Sequence, residues 1–236
     1  MNIGEDPIQE PQRYRKGLRS GPRPLVIIAA TGWLAVSSFP PPAVAQADHS
    51  GPAVVPPAEA YLGDPDAIAQ PPLLRWRTGD AAPRTLWVHL ADPPPQRPGF
   101  WEETIRAMDV WNAVGGIPLT FRQTEHPLSA DVEFRWIRRF AAHQAGTTDW
   151  ETDGDGWLRS AVVTLAMEHE EGIPMSSEFL RMVALHELGH VLGLPHSGDP
   201  KDVMHPGNRN LSLSDRDIRS VRRLYEDLAS AKVSGP

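Results

Sequence analysis

Apolar residues alternate with polar ones along several short stretches of the chain and recur at helical spacing along others. In the stretch 130–136, Val132, Phe134 and Trp136 share one face and charged residues the other, which is typical of a half-buried strand. Residues 138–160 are polar and predict a long loop. The pattern predicts strands at 84–90, 119–123, 130–136 and 161–167, a helix at 100–114, a helix that begins near Ser177 and ends at Gly193, and a last helix at 215–228.

A candidate metal site lies near the end of the second predicted helix. His186 and His190 are four residues apart, so on a helix they share one face and can bind one ion. Glu187 lies partly round the helix, where it can contact a metal-bound water without binding the metal. Gly193 can adopt positive φ and end the helix, so that His196 can return as a third ligand. Three protein ligands with an open fourth position are typical of catalytic zinc.

Two simpler interpretations fit parts of this motif. An amphipathic helix can carry two histidines at this spacing without binding metal, because the short H-E-x-x-H pattern also occurs by chance. A zinc site kept only for structure is the second alternative, although such a site needs no base such as Glu187.

The longer pattern carries a family resemblance. The stretch 186–196 matches H-E-x-x-H-x-x-G-x-x-H, and Met204 stands where the Met-turn of the metzincins is expected. Ser197 after the third histidine, and Val-Met-His-Pro at 203–206, resemble the matrixin branch, which comprises matrix-metalloproteinase catalytic domains and short microbial relatives. This resemblance implies an α+β, zincin-like fold with a twisted, mostly parallel sheet, an antiparallel edge strand, an active-site helix and a C-terminal helix. It also implies a structural role for Met204.

Together, the motif and the resemblance predict a zinc endopeptidase. Zinc held by His186, His190 and His196 would lower the pKa of a bound water, and Glu187 would act as general base in peptide-bond hydrolysis. The strand 161–167 is the candidate edge of the substrate cleft, with another ordinary strand of the sheet as the alternative. A non-hydrolytic binding module on the same fold is the main alternative function.

The N-terminal region predicts export from the cell. Five basic residues precede an uncharged apolar run at 25–39, and small residues follow at 43–47, which is typical of a signal peptide over 1–47. The apolar run is shorter than the roughly 20 residues that a membrane helix needs. An uncleaved anchor, and hence a membrane-anchored peptidase, is the alternative. We therefore expect a secreted, extracellular or cell-envelope protein.

The charge balance limits the partners. Removing residues 1–47 takes five of 23 basic and three of 30 acidic residues, which changes the formal net charge from −7 to −9. An acidic chain favours solubility and argues against nucleic acid or acidic membranes as partners. The expected partners are protein or peptide substrates, and the expected state is a monomer. The chain has no cysteine, which excludes disulfides, iron–sulfur clusters and thiol catalysis.

Residues 48–73 separate the predicted signal peptide from a catalytic domain expected at 74–230, which a tail at 231–236 follows. They are rich in Pro, Ala and Asp and predict a flexible linker. A short inhibitory pro-segment is the alternative, because Tyr61-Leu62-Gly63-Asp64 resembles the aspartate latch of some metzincin pro-peptides. In such a latch, the Asp64 carboxylate would occupy the open position of the zinc.

The predicted loop contains candidate calcium ligands. Matrixins carry structural ions in this region, and Asp153 and Asp155 offer carboxylates for calcium. The sequence Asp-Gly-Asp-Gly at 153–156 is also an ordinary turn sequence, which is the alternative.

Overall fold

Seven strands, three α-helices and one short 3-10 helix (Pro127–Ser129) make up the regular structure of the described residues. The computed structural model of the chain describes residues 27–30, 61, 74–79, 83–93, 99–141, 144–153 and 157–233. The strands are β1 (Ile27–Ala30), β2 (Arg75–Trp76), β3 (Arg84–Leu90), β4 (Leu119–Gln123), β5 (Val132–Ile137), β6 (Gly146–Thr152) and β7 (Trp157–Ala166). The helices are α1 (Gly99–Asn112), α2 (Ser177–Val191) and α3 (Asp215–Val233).

All seven strands belong to one sheet. Its order is β1-β6-β7-β5-β3-β4, and β2 pairs with the beginning of β7. The strands β4, β3, β5 and β7 run parallel, whereas β6 is antiparallel to β7 and β1 is antiparallel to β6. The predicted mixed α/β architecture, with a mostly parallel sheet and antiparallel pairing towards one edge, is confirmed.

The prediction of one long loop over 138–160 was wrong, because β6 lies within it. Thr148 and Trp150 of this strand are buried, and the side chains of Asp149 and Glu151 between and beyond them are less so. This is the alternation of a half-buried strand. The many polar residues around it concealed the alternation, and β7 likewise begins at Trp157, earlier than predicted.

The predicted cleft edge at 161–167 was also wrong. The strand β7 hydrogen-bonds to β6 on one side and to β5 on the other, so it is interior to the sheet. The next strand outwards is β6, whose far side pairs with β1. The outermost strand at this side of the sheet is therefore β1, and it covers the outer main-chain groups of β6 at Thr148–Glu151.

The helices build a core together with the sheet. The helix α1 packs against α2 and β4, and α2 packs against β6 and β7. Phe100 and Trp111 of α1 and Phe134 of β5 are almost completely buried. Burial of such side chains contributes about 25 cal/mol per Å² of apolar surface removed from water. The same packing fixes α2, because the Trp111 indole donates to the Leu185 carbonyl at 2.9 Å.

None of the helices in the described part of the chain is both long enough and apolar enough to span a membrane.

The end of α1 is tied to the outermost parallel strand by one side chain. The Asn112 amide donates to the Phe121 carbonyl at 3.0 Å, and its oxygen accepts from the Phe121 N–H at 2.8 Å. Asn112 thus pairs the main chain of β4 on the side away from β3, where an edge strand otherwise presents unpaired groups.

We expect Asn112→Ala to lower the free energy of unfolding by about 1–2 kcal/mol, because both Phe121 groups lose their partner. The measurement is urea denaturation. Asn112→Asp is the matched control, since it keeps the acceptor for the Phe121 N–H and should lower the free energy of unfolding by less than Asn112→Ala does. An unchanged midpoint for Asn112→Ala would show that water replaces the side chain at no cost.

Candidate metal centre

The helix α2 carries three of the predicted site residues. Its first turn is capped by Ser176, whose Oγ accepts from the Phe179 N–H at 3.1 Å. His186 and His190 lie one turn apart on the helix, with ring centroids 4.8 Å apart. Both rings are buried, and Glu187 between them is completely buried.

A glycine turn brings the third histidine back to the helix. Gly193 has φ of +96°, and its N–H donates to the His190 carbonyl at 2.8 Å while the Leu194 N–H donates to the Gly189 carbonyl at 3.0 Å. These two bonds form a Schellman motif. A Cβ at Gly193 would lie 2.0 Å from the Leu74 carbonyl oxygen, so glycine is required here for space as well as for φ.

Three imidazoles converge as predicted. His190 Nε2 and His196 Nε2 are 3.1 Å apart, and one ring nitrogen from each of the three histidines lies within 4.8 Å of the others. His186 Nε2 is buried and has no hydrogen-bond partner among the described residues. A buried nitrogen without a partner is costly, so this arrangement fits a site that receives a cation.

Main-chain carbonyls fix the orientation of two of these rings. His186 Nδ1 lies 2.7 Å from the Val203 carbonyl and His190 Nδ1 lies 2.8 Å from the Leu194 carbonyl. A carbonyl only accepts, so each Nδ1 donates and each Nε2 presents its lone pair to the pocket. Burial and the neighbouring histidines lower the pKa of His186 to about 3, and burial lowers that of His190 well below its usual value. Both rings are therefore neutral, as metal ligands must be.

Glu187 is positioned by the neighbouring strand. Its Oε2 accepts from the Thr148 hydroxyl at 2.7 Å, and its Oε1 is buried without a partner among the described residues. A Cβ at Gly146 would lie 2.7 Å from Oε1, so the glycine leaves room for the carboxylate. Burial raises the pKa of Glu187 to about 8, with Asp149 acting in the same direction and the Thr148 hydroxyl opposing it.

Met204 lies beneath the active-site helix. It is completely buried, and a Cβ at Gly189 would come within 2.2 Å of its sulfur, so the missing side chain of Gly189 makes the contact possible. Asp217 of α3 holds the turn from the other side, because its carboxylate accepts the Val203 N–H at 2.9 Å and the Met204 N–H at 3.4 Å.

The C-terminal end of α2 is held by donors from three other elements. The last carbonyls of a helix have no partner within it, and here buried side chains supply the missing donors. Trp150 of β6 donates to the His190 carbonyl at 3.1 Å, Trp76 of β2 to the Val191 carbonyl at 2.7 Å, and Tyr225 of α3 to the Leu192 carbonyl at 2.9 Å.

Sequence reasoning missed several residues that shape this site. Thr148 and Trp150 lie in the stretch 138–160, which was predicted to be a loop. Asp217 had a recognisable signal, because Ser214-x-x-Asp217 forms a capping box in which Ser214 Oγ accepts the Asp217 N–H and Asp217 accepts the Ser214 N–H.

The remaining predicted site residues are Asp64, Asp153 and Asp155. Asp64 and Asp155 lie outside the described residues. Asp153 accepts the Trp157 N–H at 3.0 Å and forms an ion pair with Arg77 at 3.0 Å, so its carboxylate has protein partners. Within the described ranges, the three histidines form the one group of three potential metal ligands, and calcium has no support there.

Two histidines and a buried glutamate on a helix packed against a mixed sheet, with a third histidine returning after the helix, are typical of zinc hydrolases. The sequence model of the Matrixin family matches residues 95–226, and the chain belongs to this family.

Individual relatives agree with this assignment. The chain is 27% identical over 173 residues to Metalloendoproteinase 1 of Glycine max, with 64% of this chain and 52% of that protein covered. It is 28% identical over 160 residues to Matrix metalloproteinase-26 of Homo sapiens, with 60% and 57% covered. It is 52% identical over 48 residues to Matrilysin of Felis catus, with 18% of each covered. The chain thus spans about half the length of the first two relatives.

Proposed function

We propose that the protein is a zinc-dependent endopeptidase in which His186, His190 and His196 bind the zinc and Glu187 is the catalytic base. One observation carries this proposal: a completely buried carboxylate lies on the same helix as two of three imidazoles whose Nε2 atoms face one pocket. The third imidazole, His196, is also neutral, because burial lowers its pKa to about 4. A site kept only for structure would have no use for a buried carboxylate that is not a ligand.

The donor set fits zinc. Three neutral imidazoles are typical ligands of catalytic zinc and leave one coordination position for water or substrate. Bound there, the ion supplies a Lewis acid that polarises the attacking water and the substrate carbonyl. The protein contributes the fixed orientation of the rings, through the Val203 and Leu194 carbonyls.

We assign to Glu187 the transfer of a proton from the attacking water to the leaving amine. Burial alone would keep Glu187 largely protonated at neutral pH, whereas a cation bound by the three histidines would lower its pKa and favour the carboxylate. The Thr148 hydroxyl holds Oε2, which leaves Oε1 to take a proton from the attacking water and to return it to the leaving amine. The complete burial of the side chain places this transfer in a medium of low dielectric constant, where charge interactions are stronger than in water.

The strand β6 offers a binding edge for an extended peptide. Its outer side already pairs with another segment of the chain, because Ile27–Ala30 runs antiparallel to Thr148–Glu151. An extended substrate can use the same main-chain groups in the same antiparallel direction. Thr148 lies in this paired stretch and contacts Glu187, so a peptide bound along β6 passes close to the base. An edge of this kind binds internal segments, which favours an endopeptidase.

The pairing of β1 with β6 connects removal of the predicted signal peptide with access of a substrate to β6. Ile27–Ala30 lies within the signal peptide predicted over 1–47, so its removal would free the outer side of β6. We infer that the mature protein acts outside the cytoplasm on protein or peptide substrates.

The direct test is a peptide mixture incubated with the zinc-loaded protein lacking residues 1–47, with new termini identified by mass spectrometry. We expect internal cuts that a zinc chelator abolishes. Glu187→Gln keeps the size of the side chain but removes the base, and we expect it to reduce the rate by at least about 100-fold. Equal cutting by this variant would contradict the role of Glu187. A wild type that retains zinc but makes no cut would favour a binding module.

The contact between β6 and the base gives a second prediction. Thr148→Val keeps the shape of the side chain but removes the hydroxyl that orients Glu187. We expect kcat for a fluorogenic peptide to fall about tenfold with little change in KM, because groups that orient a catalytic side chain contribute at that scale. Thr148→Ser restores a hydroxyl and should recover most of the loss. A Val variant with full kcat would show that Glu187 needs no such partner.

A further inference from the structure

Tyr61 is a completely buried residue that precedes the predicted catalytic domain, which was expected to begin at residue 74. It is the one described residue between 31 and 73, and its side chain has no exposed surface. Its hydroxyl lies 3.3 Å from Asp217 Oδ1, and its N–H donates to Ser220 Oγ at 3.0 Å. The Arg216 guanidinium lies 5.9 Å from the centroid of its ring. Tyr61 is therefore packed against α3 by its ring, its hydroxyl and its main chain.

One chain of contacts leads from Tyr61 to the first metal ligand. The Tyr61 hydroxyl donates to Asp217, whose carboxylate accepts the N–H groups of Val203 and Met204. The Val203 carbonyl in turn accepts from His186 Nδ1 at 2.7 Å. Two intermediate residues thus separate Tyr61 from the ring of His186.

A second chain leads towards the third ligand. Arg216, above the Tyr61 ring, forms an ion pair with Asp202 at 3.2 Å. Asp202 is completely buried and accepts from the hydroxyl of Ser197, the residue directly after His196. The Ser197 N–H also donates to the Met204 carbonyl at 2.9 Å. The turn at 203–204 is therefore supported by Asp217, which Tyr61 contacts directly. The segment after His196 is linked to Tyr61 through Asp202 and Arg216.

We infer that Tyr61 is a positioning residue of the metal centre, and that the folded catalytic unit includes Tyr61 rather than beginning at residue 74. This inference rests on the proposed function, since it takes the three histidines as zinc ligands. Through Asp217 and Arg216, Tyr61 fixes the turn at 203–204 and, with it, the direction of the His186 ring.

The position of Tyr61 bears on the predicted aspartate latch. Tyr61 reaches the metal site from the Nδ1 side of His186, behind the turn at 203–204, whereas the Nε2 atoms face the pocket. Asp64 lies three residues further along the chain, outside the described residues, so the latch is the competing outcome of the test.

The test compares the zinc-loaded protein lacking residues 1–47 with its Tyr61→Phe, Tyr61→Ala and Asp64→Asn variants. The main measurement is the rate of zinc transfer to a chelating dye, well below the unfolding temperature, together with Tm and with kcat and KM. Asn112→Ala is the matched control for stability. It removes two hydrogen bonds to Phe121 of β4 and none of the hydrogen bonds that link Tyr61 to the histidines.

We expect Tyr61→Phe to release zinc about threefold to tenfold faster than the wild type and Tyr61→Ala faster still. Loss of a direct hydrogen-bond partner of a metal ligand typically costs about 10–100-fold in affinity, and Tyr61 acts more weakly because two residues lie between it and His186. Asn112→Ala should lower Tm with an unchanged release rate, and Asp64→Asn should match the wild type in both. Loss of kcat in the Tyr61 variants, with KM retained, would add support.

Two results would overturn the inference. In the first, Tyr61→Ala lowers Tm as Asn112→Ala does and leaves zinc release unchanged, which would reduce Tyr61 to a stabilising contact. Alternatively, Asp64→Asn could gain activity while the Tyr61 variants release zinc at the wild-type rate, which would make the segment an inhibitory latch. Failure of the proposed function is distinguishable, because zinc release is measured whether or not peptides are cut. A wild type that retains no zinc would overturn both.

Discussion

The site depends on one constraint: buried imidazoles have to stay neutral and aim their Nε2 lone pairs at one point. The protein meets it with hydrogen bonds from Nδ1 to main-chain carbonyls, Val203 for His186 and Leu194 for His190. Carbonyls cannot donate, so these bonds select the tautomer as well as the direction of each ring. Both carbonyls belong to the segment after α2, and the path of that segment therefore decides whether a metal site exists.

The rest of the fold holds the end of α2 and the chain that leaves it. Indole donors from β2 and β6, and a phenol from α3, satisfy the carbonyls at the end of this helix. Asp217 supports the turn at 203–204 from α3, and Gly189 leaves space for Met204 between that turn and the helix. A buried donor left without its acceptor is costly, so each of these contacts penalises displacement of the helix end. The sheet contributes to the chemistry mainly through β6, which supplies the Thr148 hydroxyl to Glu187.

Local patterns predicted the helices, most strands and the three histidines, because each of these is encoded over a few residues. His186 and His190 need only helical spacing, and Gly193 needs only a glycine at the helix end. The prediction failed where the structure of a stretch depends on contacts with residues distant in the sequence. Trp150 and Thr148 sit among charged residues that suggested a loop, and their burial results from pairing with β7 and packing against α2. The contact of Tyr61 with Asp217 spans 156 positions of the chain, and no local pattern contains such information.

Zinc K-edge X-ray absorption on the zinc-loaded protein identifies the metal ligands without relying on turnover. We predict three imidazole nitrogens at about 2.0–2.1 Å and one oxygen, with one imidazole lost in His196→Ala. A sulfur ligand would contradict it, since Met204 would then bind the metal rather than support the helix. An unchanged ligand set in His196→Ala would contradict it too, because the turn at Gly193 would then serve some purpose other than delivering the third ligand.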